Sequence, residues 1–394
     1  MNKPLAVVML TLLTTFIGFG IIIPVMPELI KRVDSEALAL HTGLLLSIYS
    51  AVSFIMSPLW GALSDRIGRR PIILIGILGF AASFLIFGLG AHSLVMMYIS
   101  RILGGLFSGA VTSVIVAYVA DVTPPEERTR GMGLVGMSIG LGFTIGPGVG
   151  GLLSKVSLEM PFYAASLLAM ITFFLAWARL KESLAPEQRR QTSEKRPSRW
   201  TAFQGSLRYL YLLALFVALS LAGLEATLQL FGMERFDVTP GQVGMMFFVC
   251  GLVGALVQGG VVRRYIKKGD EPKFIAAGLL FSAIGFLLLL TSHSLGTATL
   301  YLAVFGIGNA LIRPCVTSLI TQRTTVGQGV ASGLSSSMDS LGRIIGPLGG
   351  ALLFGIDLQL PYVVGGLLSL AALLFLVRFV VLDRERSSGE AVSR

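Results

Sequence analysis

Gly133–Gly151, GLVGMSIGLGFTIGPGVGG, is the stretch that decides the fold, because its pattern returns 200 residues further on. Glycines one helical turn apart let a second helix approach almost backbone to backbone. A proline inside an apolar helix removes one backbone hydrogen bond and bends the helix. The first copy contains Gly133, Gly142, Gly146, Pro147, Gly150 and Gly151, and the second contains Gly333, Gly342, Gly346, Pro347 and Gly350. Two such helices half a chain apart predict a duplicated membrane bundle.

Composition excludes a water-soluble protein. Hydrophobic residues make up 54% of the 394 and charged residues 13%, with a mean hydropathy of +0.80, whereas soluble domains are about 25% charged. Apolar runs of the roughly 20 residues that cross a bilayer recur along the whole chain. We predict an all-α integral membrane protein with twelve membrane helices at about 5–27, 43–63, 71–91, 94–119, 131–155, 161–180, 207–232, 241–262, 274–293, 296–321, 327–354 and 361–382.

The polar, basic and proline-bearing segment 181–206 divides the chain. We interpret it as a cytoplasmic linker between six-helix bundles at 1–180 and 207–383, followed by a cytoplasmic tail at 384–394. The first apolar run has no small-residue cleavage site after it, so we expect a retained helix and not a signal peptide. Its two prolines, Pro24 and Pro27, allow two interpretations, helix termination or a bendable lid.

The net charge of +10 reflects membrane topology. Of the 31 Lys and Arg residues, three lie within helices and four, Lys31, Arg32, Lys155 and Arg235, in outer segments. The others lie on one side, which the positive-inside rule makes cytoplasmic. We therefore expect a multi-pass protein of the cell membrane with both termini in the cytoplasm, surrounded by lipids and without a nucleic-acid partner.

The turn between the second and third helices, GALSDRIGRRP, has an order of residues that an ordinary basic loop would not need. It resembles the loop motif of the major facilitator superfamily, and Gly61, Asp65, Arg66, Gly68, Arg69 and Arg70 match it. The glycine-proline stretch at 133–151 and helix 1 resemble the antiporter branch. Across nearly the whole chain the sequence resembles twelve-helix drug:proton antiporters, which implies two pseudo-symmetric six-helix bundles.

For this loop, the resemblance implies a latch that closes the cytoplasmic side. Asp65 would face the positive N-terminal end of helix 11, where a carboxylate is favoured. Arg69 would pair with Asp121 at the inner end of helix 4. In the second half, 260–272 keeps the charges of the motif but not its pattern.

Arg101 lies in helix 4 on one face with Gly105, Ser108, Gly109 and Thr112. A guanidinium within the bilayer normally faces a polar cavity or a partner. Snorkelling to the nearby outer interface is the alternative. The antiporter resemblance at Arg101, Gly105 and Gly109 implies a part in proton relay.

Glu225 in helix 7 lies deep in an apolar run, with Gln229 one turn further on the same face. A lone ionised carboxylate is costly there, so we predict that Glu225 binds and releases protons. The alternative is a carboxylate held by a structural arginine elsewhere. In the proteins that this chain resembles, an acid at this place serves proton coupling and cation recognition.

Helix 10 places Asn309, Arg313 and Thr317 on one face. The Arg-Pro at 313–314 matches the family, but Ala310 stands where members of the branch have an acid. Asp339 and Arg343, spaced i, i+4 in helix 11, offer a substitute. Either they form an ion pair within one helix, or Asp339 is a second proton site with Arg343 or Arg313 as its partner.

Together these residues and the antiporter resemblance predict a proton-coupled secondary transporter that exports hydrophobic or cationic drugs. From the family we expect helices 1, 4, 7 and 10 to line a cavity that contains Arg101, Gln229, Asn309, Arg313 and Arg343, beside the proton-coupling residues Glu225 and Asp339. The alternatives are an exporter of one metabolite or sugar, a lipid or lysolipid flippase, and a membrane sensor that does not transport. A glycine loop for nucleotides is absent from the sequence, and we expect a monomer without enzymatic activity, cofactor or metal, driven by the proton gradient.

Overall fold

The computed structural model describes residues 3–124, 127–184, 202–266, 269–324 and 328–392, and these ranges contain helices and no strands. Most of the predicted linker therefore lies outside the described residues. The helices are α1 (Lys3–Ile22), α2 (Met26–Val33), α3 (Leu38–Ile67), α4 (Arg69–Leu89), α5 (Leu94–Val122), α6 (Arg128–Leu153), α7 (Met160–Arg179), α8 (Leu207–Phe236), α9 (Pro240–Leu256), α10 (Arg263–Tyr265), α11 (Glu271–Leu290), α12 (Leu295–Arg323), α13 (Gln328–Ile356) and α14 (Leu360–Val392). A π-helical segment, Val257–Val262, joins α9 to α10.

Eleven helical stretches among the described residues are long and apolar enough to cross a membrane, and α9 to α10 count as one of them. The predicted eleventh crossing corresponds to α13, which has 29 residues but carries Asp339, Arg343 and a run of serines. Its polar face explains why it falls short on composition. The helices match the twelve predicted runs, so the all-α membrane fold is confirmed.

In the first half, the glycines of α6 lie against the backbone of α1. A Cβ added at Gly146 would stand 2.7 Å from the Ile17 carbonyl oxygen and 2.9 Å from the Gly20 Cα. One added at Gly142 would stand 3.0 Å from the Ile17 nitrogen. Only glycine permits this approach, and α6 runs unbroken through Pro147.

The second half repeats this packing between α13 and α8. A Cβ added at Gly346 would stand 2.5 Å from the Leu219 carbonyl oxygen and 3.1 Å from the Gly223 nitrogen. At Gly342 it would stand 2.7 Å from the Leu219 nitrogen. The backbone-to-backbone contact predicted from the glycine spacing is present in both copies.

One predicted boundary is wrong. The first helix ends at Ile22 and not at residue 27, because Pro24 lies in a turn and Pro27 sits in the first turn of α2, where its missing N–H costs nothing. Termination is therefore the role that these prolines have in the structure. At the other end, the predicted tail continues α14 as a helix to Val392.

The chain divides into two compact units. Unit 1 contains Met1–Lys195 and Asp237–Phe248, and unit 2 contains Arg196–Phe236 and Val249–Arg394. The domain limits that we drew from composition stay predictions.

Candidate functional site

Glu225 of α8 and Arg343 of α13 form an ion pair inside unit 2. The Glu225 Oε2 lies 3.2 Å from the Arg343 Nη1, and the two side chains are 10% and 19% exposed. The two side chains come together because Gly342 and Gly346 bring α13 onto the backbone of α8 immediately beside both charges. The structure therefore contains the arginine partner that the alternative interpretation of Glu225 requires, 118 residues away in sequence.

Asp339 of α13 pairs with Arg313 of α12. The Arg313 Nη2 lies 3.2 Å from the Asp339 Oδ2, and both side chains are partly exposed, at 42% and 38%. Arg313 also acts electrostatically on Glu225. Two acids and two arginines from α8, α12 and α13 therefore form one charge-balanced cluster, which we call the charge cluster: Glu225, Arg313, Asp339 and Arg343.

Two amides flank the charge cluster. Gln229 is fully buried, and within the described residues both atoms of its amide lack a hydrogen-bond partner. The buried Oδ1 of Asn309 likewise has no partner among the described groups. Asn309 lines a cavity of about 10 Å³ together with Ser220, Ser282 and Ser369, a volume on the order of one water molecule.

A second cavity reaches the charge cluster itself. It has a volume of about 40 Å³ and is lined by Arg313, Asp339, Thr317 and Ser335 beside apolar side chains. The Arg313–Asp339 pair therefore borders an open cavity, whereas the Glu225–Arg343 pair is nearly closed off.

Arg101 is fully buried in unit 1, so its side chain does not snorkel. The guanidinium carbon lies 5.3 Å, 5.5 Å and 5.0 Å from the ring centroids of Tyr49, Phe84 and Phe87. Its Nε and Nη2 atoms have no hydrogen-bond acceptor in the part of the chain that the structure describes. The geometry is that of a cation held by aromatic faces of α3 and α4, and participation in proton relay stays a prediction.

Arg69 pairs with Asp121 within unit 1 as predicted, and it also pairs with Asp65, a contact that was not predicted. Its Nη1 lies 2.6 Å from the Asp65 Oδ1, and its Nε lies 3.1 Å from the Asp121 Oδ2. Gly68, with a φ of 109°, makes the turn that places Arg69 at the start of α4, a conformation that favours glycine. Arg66 is exposed. The expected contact of Asp65 with the eleventh membrane helix, which is α13, stays a prediction.

Sequence reasoning missed Glu182, which the linker prediction had hidden. Its carboxylate accepts hydrogen bonds from the backbone N–H groups of Arg69 and Arg70 at 2.8 Å and 3.1 Å. The only signal in the sequence was an acid three residues after the end of α7.

The equivalent end of unit 2 is built differently. Glu271 accepts hydrogen bonds from the Gln322 amide at 2.8 Å and the Ser318 hydroxyl at 3.3 Å. Arg323 at the end of α12 pairs with Asp383 of α14 at 2.9 Å. The second half therefore keeps a polar clamp at the same helix ends although the loop motif is lost.

The glycine stretches, the latch and the charge cluster together define a duplicated polytopic membrane protein with paired charges inside its second bundle. The family model of the Major Facilitator Superfamily matches residues 8–327 and 267–394. The chain belongs to this family of membrane transporters.

Three relatives are similar to this chain over nearly its whole length. The chain is 32% identical to "Multidrug resistance protein 2" of Bacillus subtilis (strain 168), over 94% of each chain. It is 31% identical to "Multidrug resistance protein 1" of the same organism and 30% identical to "Quinolone resistance protein NorA" of Staphylococcus aureus (strain MSSA476), over 92% of each chain.

Solved structures share the fold. The human organic anion transporter MFSD10 (TETRAN) superposes with a TM-score of 0.71 at 26% identity, covering 95% of this chain and 99% of that one. A bacterial homologue of the human lysosomal transporter Spinster, inward-facing and occupied, gives a TM-score of 0.69 at 17% identity over 96% of each chain. The second likeness concerns the fold alone.

Proposed function

We propose that this protein exports hydrophobic or cationic small molecules in exchange for protons. The observation that carries the proposal is the buried Glu225–Arg343 pair, in a chain about 30% identical to multidrug resistance proteins over nearly its whole length. A carboxylate inside a membrane bundle is costly unless it is paired, protonated or bound to a cation. An exchanger of protons for cations requires a carboxylate that switches among these three states.

The transport cycle follows from the charge balance. With both acids ionised, the charge cluster is neutral, and an entering cation competes with Arg343 for Glu225. A proton arriving from outside neutralises Glu225, leaves the charge cluster with a net positive charge and repels the bound cation. The protonated carrier then returns and releases the proton inside. Exchange of one proton for one monovalent cation moves no net charge, so the pH gradient drives it, whereas exchange of one proton for an uncharged molecule also gains roughly 2.3 kcal/mol per 100 mV of membrane potential.

The other groups have supporting roles in the proposal. Gln229 and Asn309 shape the substrate site within unit 2, with Asp339 and Arg313 as a second, more exposed pair, and Arg101 serves substrate binding from within unit 1. The protein works as a monomer without a cofactor in the cell membrane, surrounded by lipids and with both termini in the cytoplasm. The latch then lies on the cytoplasmic side.

The experiment measures proton release when ethidium or tetraphenylphosphonium is added to the solubilised protein in a weakly buffered solution. We expect release from the wild type and none from Glu225→Gln. Glu159→Gln serves as the control, because Glu159 pairs at 3.2 Å with Arg32, whose side chain is 52% exposed, and this variant should release protons as the wild type does.

Release of protons from Glu225→Gln at the wild-type level would contradict the assignment. So would normal ethidium efflux by this variant in vesicles with an imposed proton gradient.

A second candidate is export of amphipathic anions. Three arginines within membrane helices support it, Arg101, Arg313 and Arg343, together with the likeness to a solved organic anion transporter. Absence of proton release with either cation, together with binding of fluorescein that Arg343→Gln weakens, would favour this candidate. Competition by phospholipid headgroups would instead favour the flippase.

A further inference from the structure

The start of α4 is a helix end without a cap of its own. The residue before it is Gly68, which has no side chain to accept a hydrogen bond. The first N–H groups of a helix lack partners within the helix and carry partial positive charge. Glu182 supplies the acceptor from a distant part of the chain, with Oε1 2.8 Å from the Arg69 nitrogen and Oε2 3.1 Å from the Arg70 nitrogen.

The carboxylate of Glu182 is itself held in place. The backbone N–H groups of Ser183 and Leu184 donate to its Oε1 at 3.0 Å and 3.1 Å. The Tyr118 hydroxyl of α5 donates to the Lys181 carbonyl at 2.9 Å. The segment that follows α7 is therefore folded around a single carboxylate and fastened to α5.

The same segment reaches the partners of the Arg69 side chain. The Ser183 hydroxyl donates to the Asp121 Oδ2 at 3.1 Å, the oxygen that also accepts from the Arg69 Nε. The Arg70 Nη2 donates to the Trp177 carbonyl at 2.8 Å. Glu182 fixes the backbone of Arg69, and the surrounding hydrogen bonds fix the acid that its guanidinium meets.

We infer that Glu182 is a positioning residue of the transport cycle, which holds Arg69 where its guanidinium bridges Asp65 and Asp121 simultaneously. The inference rests on the proposed function, because it assigns Glu182 to the latch of an alternating-access exporter. The latch thus has three carboxylates from three parts of the chain, and the first residues of the segment after α7 belong to it.

Two measurements on the full-length protein test this inference. Hydrogen–deuterium exchange of the peptide that contains Arg69 and Arg70 should become faster in Glu182→Gln, because an amide group replaces a carboxylate that accepts from both N–H groups. In proteoliposomes with an imposed proton gradient, the ethidium turnover per folded molecule should fall about tenfold, the size expected when a charge-assisted hydrogen bond is lost from one of two states.

The apparent KM for ethidium should stay at the wild-type value, since the described partners of Glu182 are all groups of the latch and its own segment. Glu159→Gln again serves as the control, because it makes the same chemical change just before α7 begins and should alter neither measurement. A purely structural role would lower the yield of folded protein without lowering turnover per folded molecule.

The inference is overturned if Glu182→Gln leaves hydrogen–deuterium exchange at Arg69 and Arg70 unchanged. It is also overturned if that exchange becomes faster while ethidium turnover stays the same. If Glu182→Gln does not accumulate as folded protein, Glu182→Asp takes its place, with a smaller fall in turnover expected and wild-type turnover overturning the inference. If the wild type does not transport ethidium in exchange for protons, the proposed function is rejected instead. Hydrogen–deuterium exchange would still report whether Glu182 holds the start of α4.

Discussion

Replacing Gly346 with alanine should separate α13 from α8 and thereby break the buried ion pair. The added Cβ would stand 2.5 Å from the Leu219 carbonyl oxygen and 2.9 Å from the Ala222 Cβ. Restoring ordinary contact requires the helices to move apart by about 1 Å. The Glu225–Arg343 distance of 3.2 Å would then exceed 4 Å, a separation at which a direct hydrogen bond is lost.

Two opposing effects determine the free-energy cost of Gly346→Ala. Overpacking of a tight interface costs about 1–3 kcal/mol, against which alanine contributes roughly 0.5–1 kcal/mol through its higher helix propensity. The net loss is about 0–2.5 kcal/mol, which corresponds to a fall in Tm of up to about 10 °C. Since an alanine elsewhere in the helix has the same propensity gain, the overpacking cost of about 1–3 kcal/mol separates the two variants. We also expect the loss of ethidium-induced proton release, because Glu225 and Arg343 no longer act as a pair.

Gly349→Ala is the matched control in the same helix, because a Cβ there meets no atom within 4 Å. The assay is thermal unfolding of the purified proteins in one detergent, followed by proton release. The control should be as stable as the wild type or slightly more stable. Equal Tm values for the two alanine variants would refute the claim that the glycine spacing sets the position of Arg343.

Three further predictions concern charged groups. Asp339→Asn, which breaks a pair that is about two-fifths exposed, should cost less than about 1 kcal/mol, whereas Glu225→Gln should cost about 3–5 kcal/mol because the ion pair that it breaks is buried. Chemical unfolding compares the two variants, and a larger cost for Asp339→Asn would contradict the burial argument. Arg101→Lys should destabilise unit 1 by about 1–2 kcal/mol although it keeps the charge, since an ammonium cannot stack on three aromatic rings as a guanidinium does; a Tm equal to that of the wild type would contradict the role of the rings. The backbone N–H of Ala37 holds the pKa of Asp34 below its usual value. The contribution of the ionised Asp34 to stability is therefore complete above about pH 4 and disappears as the pH falls further. The Tm difference between wild type and Asp34→Asn should shrink on acidification, and a constant difference would contradict this prediction.

Local patterns gave the correct fold because a bilayer tolerates few alternatives. Runs of about 20 apolar residues must be helices there, and each of the twelve predicted runs corresponds to helix in the structure. The spacing of Gly142, Gly146 and Pro147, repeated at Gly342, Gly346 and Pro347, gave the two helix pairs because backbone-to-backbone packing depends only on small residues one turn apart. The error arose at the end of the first helix, where the turn at Pro24 depends on local geometry that hydropathy does not report.

The amino-acid sequence by itself thus determined the membrane fold, the duplication and the identity of the buried charges. Only the tertiary structure decided their partners. Arg343 meets Glu225 from a different helix although Asp339 lies one turn away on its own, and Glu182 caps a helix that begins 113 residues before it. The physical reason is that the spacing along a helix fixes which side chains share a face, whereas the rotation and separation of packed helices fix which charges come within 3–4 Å of each other, and those are set by side-chain volumes along the whole contact.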